Sequence, residues 1–337
     1  MTLLRAARGL ATRAARPVFF CNDHWEYPLP TNHRFPMDKY RLVREQLERE
    51  GLDATFRKSP LASVRDLKST HCGAYCERFV SGALTKAENR SIGFPWSRAG
   101  VNRALSSTGG TVAAAAALAE AMRGGDDAPR IAGHVAGGTH HAFFDRGEGF
   151  CVFSDIAVAA NVLLRDYADV VAKILIVDVD VHQGNGNAVL FEREPAVTTF
   201  SMHCAANYFS DVEASDVDVE VPSGARDDDY LRLLKSYLPL LARMKPDVVF
   251  LQAGVDISEH DRLGKLAVSL AGIRRRNALL YDVFLRAGAR VVVTMGGGYP
   301  RDLDPASPPY RAIVDAHADV YREAVAAQAR SLARTSA

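Results

Sequence analysis

Short apolar runs at residues 131–135, 173–179, 197–202, 247–253 and 290–295 punctuate the second two-thirds of the chain. Each is too short for a stable helix and most are rich in Val and Ile, so each reads as a buried strand. Between them, apolar residues recur at helical spacing over 155–168, 186–193, 229–244, 270–288 and 309–330. Two further helices are expected upstream, at 37–50 and over "TVAAAAALAEAM" (111–122). Strand and helix in alternation predict an α/β protein of three layers, a central parallel β-sheet flanked by helices on both faces. "VPSGARDDD" (221–229) reads as a polar loop feeding a helix and not as a linker, so residues 21–330 are taken as one domain.

The polar clusters fall in a regular place on that frame. "HVAGGTHHAFF" follows the run at 131, "DVHQGNGN" ends the run at 173, "GVDISEHDRLG" follows the run at 247 and "MGGGYP" follows the run at 290. All four lie at the carboxyl ends of strands, the edge at which open α/β sheets bind ligands.

In "KILIVDVDVHQGNGN" (173–187), Asp178, Asp180 and His182 occupy every second position, which puts them on one side of an extended chain. Adjacent buried carboxylates repel each other and resist desolvation. A metal ion removes both difficulties. Asp180, His182 and Asp256 would supply two carboxylates and an imidazole, three protein ligands that leave a position open for water, as catalytic sites do. His140 and His141 are candidate proton carriers, and each needs a partner to fix its tautomer, for which Asp178 and Asn185 are available. Tyr299 follows three glycines that let the backbone approach a ligand, and is a candidate hydroxyl donor to an oxyanion. Together these residues point to metal-assisted hydrolysis of an amide. Taken singly, a His-His pair is more often structural, a Gly-Gly-Gly run is usually a loop, and an Asp at a strand end is commonly a helix cap. Their convergence on one edge of one sheet favours the functional reading.

Composition narrows the class by exclusion. With 337 residues, 48% hydrophobic and 24% charged, the chain can bury a large core. Its formal charge of +1 gives no general attraction to nucleic acid or to anionic lipid, so no direct nucleic-acid binding is expected. No stretch reaches the ~20 apolar residues of a membrane helix, so no membrane insertion is expected either. Five cysteines, with Cys72 and Cys76 lacking a second pair, suggest a reducing compartment. The first twenty residues differ: "MTLLRAARGLATRAARPVFF" carries Arg5, Arg8, Arg13 and Arg16 with no acid before Asp23, and Leu3, Leu4 and Leu10 fall on the opposite helical face. That is the pattern of an organelle transit peptide. Residues 1–20 are therefore expected to be a targeting segment for a mitochondrion or plastid, or else an N-terminal extension of a cytoplasmic protein.

"GGTHHAFFDRGEGFCVFSDIAVAA", "ILIVDVDVHQGNGN", "TFSMH", "LQAGVDISEHDRLG" and "MGGGYP" resemble the zinc-dependent histone deacetylase family, from about residue 27 to 305. "HQGNG", with "NHRFPMDKYRLVREQL" and "RSIGFPWSRAG", resembles its class IV branch and the bacterial and organellar relatives of that branch. The resemblance implies an arginase/deacetylase-like fold and Zn2+ on Asp180, His182 and Asp256. It implies that His140, oriented by Asp178, and His141, beside Asn185, handle protons, and that Tyr299 stabilises the tetrahedral intermediate. It further implies a narrow acyl-lysine tunnel with Phe150 as one wall, Gly138 and Gly297 helping to line it, and Asn207 and Tyr208 at the rim. Asp178 and Ser201, with carbonyls near His182, match a structural K+ site, and Lys39 matches a basic residue beside an internal cavity.

There are departures from the family pattern. Gln183 stands in place of a second histidine, and Asn185 in place of an aspartate, which leaves His141 less basic. "FPWSRAG" has no carboxylate to grip a peptide backbone. The expected function is removal of acetyl or longer acyl groups from lysine side chains of proteins, with a small acetylated amine such as an acetylpolyamine as the alternative substrate and a non-catalytic acyl-lysine binder as the alternative class. A two-metal ureohydrolase is disfavoured, because these loops lack the extra carboxylates that bridge two ions. An Asp/Asp/His set does not discriminate sharply between Zn2+ and Fe2+.

Overall fold

The structure is a computed structural model describing residues 16–31, 33–125, 128–207 and 211–335. Eight parallel strands form one sheet: β1 (Val18–Cys21), β2 (Thr55–Lys58), β3 (Ile131–His134), β4 (Ile174–Asp178), β5 (Val197–Cys204), β6 (Val217–Val221), β7 (Val248–Gln252) and β8 (Arg290–Thr294). The strand order is β2-β1-β3-β8-β7-β4-β5-β6. The last two strands of the chain are thus inserted between β3 and β4 in the middle of the sheet.

The helices are α1 (Lys39–Arg49), α2 (Val64–Lys68), α3 (Gly73–Ser81), α4 (Lys86–Ile92), α5 (Arg98–Arg123), α6 (Asp155–Asp166), α7 (Asn185–Phe191), α8 (Asp227–Arg243), α9 (Leu270–Arg286) and α10 (Pro308–Thr335). A parallel sheet is apolar on both faces because crossover helices cover both. Here Leu175, Val177, Val249, Leu251, Val291 and Val293 pack in the core shared with α8, α9 and α10. The alternate residues Ile174, Ile176, Val248, Phe250 and Val292 pack with α5 and α6 on the other face. Each fully buried aliphatic side chain of this kind contributes about 1.5–3 kcal/mol. Ser154, at the start of α6, and Ser269, at the start of α9, accept the amides of Ala157 and Gly272 and so fix where these helices begin.

The five expected strands and the seven expected helices are all present, and the fold is the three-layer α/β sheet that the pattern predicted. The short strands β1, β2 and β6 escaped it. α5 is also longer than expected, since the turn-like "SSTGG" within it is buried helix. The boundary drawn at residue 20 needs correction: Val18–Cys21 pairs with both β2 and β3, and Phe19 is fully buried, so the domain takes in β1. Most of the expected targeting segment, residues 1–15, lies outside the described residues. All five cysteines are free thiols. Among the described residues no helix is long and apolar enough to cross a membrane.

Candidate active site

Because β8 and β7 separate β3 from β4, the four loops that leave these adjacent strands meet at one place on the carboxyl edge of the sheet. The regular ladder of β4 stops at Asp178, and beyond it the carboxylates themselves accept the backbone amides of the turn. Asp178 Oδ1 accepts Asp180 N at 3.1 Å, Asp180 Oδ1 accepts His182 N at 3.1 Å, and Asp256 Oδ1 accepts Val181 N at 2.9 Å. Asp180 Oδ2 accepts Gly297 N at 2.7 Å. Asp256 Oδ2 alone is buried without a hydrogen-bond partner.

His182 Nδ1 lies 3.2 Å from Asp180 Oδ1 and 3.2 Å from Asp256 Oδ2. Donor atoms of these three residues all fall within 4.8 Å of one another. A tetrahedral cation with bonds of ~2.0–2.1 Å needs its donors roughly 3.3 Å apart, so the set fits a small divalent ion. The electrostatics agree. Burial opposes a charge on His182, yet the two carboxylates outweigh it and raise the imidazole to about 10. Burial, with the neighbouring Asp180 charge, pushes Asp256 up to about 6. This pocket of the protein calls for a positive charge. From below, the buried Arg276 guanidinium donates to the carbonyls of Gly254 at 2.6 Å and Val179 at 3.3 Å, tying the β4 and β7 loops together.

The two adjacent histidines project from the loop after β3. Asp155, at the start of α6, accepts the amides of Gly138 and Thr139 at 3.0 and 2.7 Å and fixes that loop. His140 Nδ1 is 2.6 Å from Asp178 Oδ2, and His141 Nδ1 is 2.7 Å from Asn185 Oδ1. Asn185 Oδ1 also accepts Gly186 N at 2.9 Å, so it is the acceptor and His141 Nδ1 carries the hydrogen. The partners set opposite protonation. Burial opposes a charge on His140, but Asp178 and Asp180 lift it to about 9. For His141, burial and the facing imidazoles hold the pKa well below 6.5, and a neutral amide offers little compensation.

Tyr299 is held by its backbone amide on Asp261, whose other oxygen accepts Leu263 N at 2.7 Å and Gly264 N at 2.8 Å. Burial, reinforced by Asp180 and Asp256, raises the Tyr299 hydroxyl well above 10, so it stays a donor. An opening of about 240 Å³ leads in from solvent, with His141, His182, Phe150 and Tyr299 among its walls. Phe150 has a φ of 69°, unusual for an aromatic residue, and is over-determined by a hydrogen bond from its amide to Ile92 O and by the rings of Phe35, Phe94 and Tyr299.

Several expected positions differ in detail. Gly138 and Gly297 do not line the opening; they are packed behind it. A Cβ on Gly138 would fall 2.3 Å from Gln252 Oε1, and one on Gly297 would fall 2.0 Å from Asp256 Oδ2. The glycine that lines the opening is Gly149. Lys39 is fully buried and spends its ammonium on the carbonyls of Gly296 and Gly298, both at 3.2 Å, beneath the Tyr299 ring. Gln183 faces away from the site and holds Glu213 and Asp218. Asn207 is buried and not simply a rim residue: its Nδ2 is 3.0 Å from His182 Nε2 and 3.1 Å from Leu263 O. Tyr208 lies outside the described residues. Ser201 is the ladder partner of Asp178 and accepts Gly184 N at 3.3 Å. Asp155, Asp261, Gln252 and Arg276 were not anticipated, because a single polar residue carries no spacing signal until its partners are known.

A sheet with this strand insertion and this polar edge is the arginase/deacetylase arrangement, and the protein is a hydrolase of that class. Residues 33–307 match the histone deacetylase domain. An uncharacterized protein of Picosynechococcus sp. is 40% identical over 290 residues, 85% of this chain and 93% of that protein. A histone deacetylase-like amidohydrolase of Pseudomonas aeruginosa is 29% identical over 289 residues, 81% of this chain and 74% of its own. Histone deacetylase 2 of Arabidopsis thaliana is 33% identical over 170 residues, 49% of this chain and 43% of that protein. Among solved structures, the HD domain of HDA15 superposes with a TM-score of 0.74 at 21% identity, covering 95% of this chain and 93% of that one, and so shares its fold. The chain belongs to the histone deacetylase family.

Proposed function

We propose that this protein is a zinc-dependent deacylase that removes acetyl or longer acyl groups from lysine side chains. The carrying observation is the Asp180, His182 and Asp256 donor set, with His182 Nδ1 3.2 Å from an oxygen of each carboxylate and one carboxylate oxygen without a hydrogen bond, facing two histidines of which one is bonded to a carboxylate and the other to an amide. A divalent cation held by these donors would polarise the scissile carbonyl and acidify a water molecule. The same donors accept Fe2+. Asp178 and Ser201, side by side in the sheet, are the groups around which a structural K+ would sit. Gln183 and Asn185 support placement near the class IV branch.

The remaining chemistry belongs to the chain's own side chains. His141, neutral and with its hydrogen on Nδ1, uses its Nε2 lone pair as the base that takes a proton from water. His140, kept protonated by Asp178, gives a proton to the departing amine. The ring centroids are 3.9 Å apart, so the two act on opposite ends of one small reacting group. Solvent at the opening restores both. Tyr299 donates its hydroxyl hydrogen to the developing oxyanion, and Phe150 with its aromatic neighbours excludes bulk water from the acyl group.

The test is hydrolysis of an acetyl-lysine peptide by purified protein carrying one zinc per chain, beside Tyr299→Phe. That variant should keep its metal and lose about 100-fold or more in kcat, as removal of one oxyanion donor does. Inert wild-type protein with one bound zinc would remove acetylated peptides as substrates, and two metals per chain would revive a ureohydrolase.

A further inference from the structure

Resting on the deacylase reading, we propose that the substrate carries a negative charge beside the acylated amine, so that the protein selects anionic acyl-lysine compounds or acidic peptide segments and rejects polycations. The mouth of the site is basic. Arg34 and Lys265 line the opening, and no Asp or Glu does so among the described residues. The carboxylates beneath are committed elsewhere, Asp178 to His140 and Asp180 with Asp256 to the cation site.

Among the described residues neither cation is neutralised by a carboxylate. Lys265 Nζ donates to a backbone carbonyl, that of Ala206, and the Arg34 guanidinium lies 5.0 Å over the Phe150 ring, the wall of the opening itself. Several surface arginines elsewhere are paired with acids: Arg41, Arg44, Arg123, Arg165, Arg322 and Arg330 meet them within 3.3 Å. The two at the mouth share none of these pairings and stand where a ligand enters.

Both are also held in place. Arg262 Nη2 donates to Arg34 O at 2.6 Å, and the buried Asn207 accepts Lys265 N at 2.7 Å. Their backbones are fixed before a ligand arrives, so little ordering entropy is lost when an anion binds. The 94–100 segment contributes nothing acidic to offset them and does not line the opening; Trp96 and Arg98 bond the carbonyls of Phe79 and Val80 instead. An acetylpolyamine would bring ammonium groups against these two cations, and an acidic flank would bring carboxylates.

The experiment compares kcat/KM of the full-length protein on two matched pairs. One pair is an acetyl-lysine peptide with Asp/Glu flanks and the same peptide with Lys flanks. The other is Nα-benzoyl-Nε-acetyl-lysine and its carboxamide, which differ by one carboxylate. N-acetylspermidine is run alongside. The expected preference for the anionic member is roughly 3- to 10-fold at low salt, shrinking as ionic strength rises. Preference within the peptide pair identifies an acidic protein segment as the source of the charge, and preference within the small-molecule pair identifies a free acid. Arg34→Glu with Lys265→Glu should reverse the ratio. Because the ratio is taken within one preparation, partial misfolding does not mimic the result. Equal rates within both pairs, or faster turnover of the basic peptide or of N-acetylspermidine, overturn this inference and leave the deacylase standing. Hydrolysis of none of the five overturns the deacetylase form of that reading, and this inference with it.

Discussion

At the floor of the site, five of the six carboxylate oxygens of Asp178, Asp180 and Asp256 are bonded to backbone amides or imidazoles, and the sixth faces His182 Nδ1. At the rim, Arg34 and Lys265 are exposed side chains on anchored backbone, and among the described residues no carboxylate lines the opening with them. The floor hangs from the ends of the four central strands. The rim hangs from loops. Displacing a floor atom breaks several bonds at once, whereas changing a rim side chain alters only the field an incoming substrate meets. The architecture thus separates the reaction, which is fixed, from the choice of substrate, which is adjustable.

The sharpest way to break this contrast is Gly297→Ala. Gly297 does not have a positive φ, so the added methyl tests the clash 2.0 Å from Asp256 Oδ2 and not backbone strain. Hydrolysis should fall below detection and the tightly held divalent ion should be lost, while thermal unfolding stays cooperative. Metal analysis beside circular dichroism checks this, and full metal occupancy in the variant would mean that the floor is looser than described.

A smaller effect is expected from Asn185→Asp. A carboxylate on the Nδ1 hydrogen of His141 should raise that ring by about 1–3 pKa units. As the proposed base, His141 would work unprotonated, and burial with the facing imidazoles holds it well below 6.5, so the wild-type acid limb is expected at low pH. Raising the pKa moves the loss of kcat/KM to higher pH: the variant should lose activity as pH falls through a range in which wild type is still active. A pH profile of both decides it, and superimposed acid limbs would remove His141 as the base. The smallest effect belongs to the rim. Raising salt from 0.02 to about 0.3 M should weaken only the charge preference, because exposed charges are screened over roughly a Debye length while buried pairs are not.

The same division governed what could be read from the amino acids. The central strands announce themselves as β-branched runs, and the candidate ligands Asp180, His182 and Asp256 stand out because charge does not belong at the end of such a run. β2, with its largely exposed "TFRK", and β6, alternating "VDVEV", are the edges of the sheet and keep polar residues there, which blunts their signal. The first half of α5 was missed because buried Ser106, Thr108, Gly109 and Gly110 look like a turn until the close packing of that helix is seen. Asp155 acts on Gly138 and Thr139, and Asp261 on Tyr299, partners well separated in sequence, so no local pattern marks these roles. Gly138 and Gly297 were expected to help line the tunnel, but what crowds them is protein and not substrate.

The insertion of β7 and β8 between β3 and β4 also sets an order of events during synthesis. Until Val248–Thr294 has emerged from the ribosome, β3 has only β1 and β4 only β5 as neighbours, and the facing edges of two apolar strands from the heart of the sheet stand open. Sequence-distant parallel pairing is slow to form, and open strand edges invite aggregation. The reaction centre is therefore among the last parts of the molecule to exist, and a nascent chain halted near residue 245 would be both inert and a natural client for a chaperone.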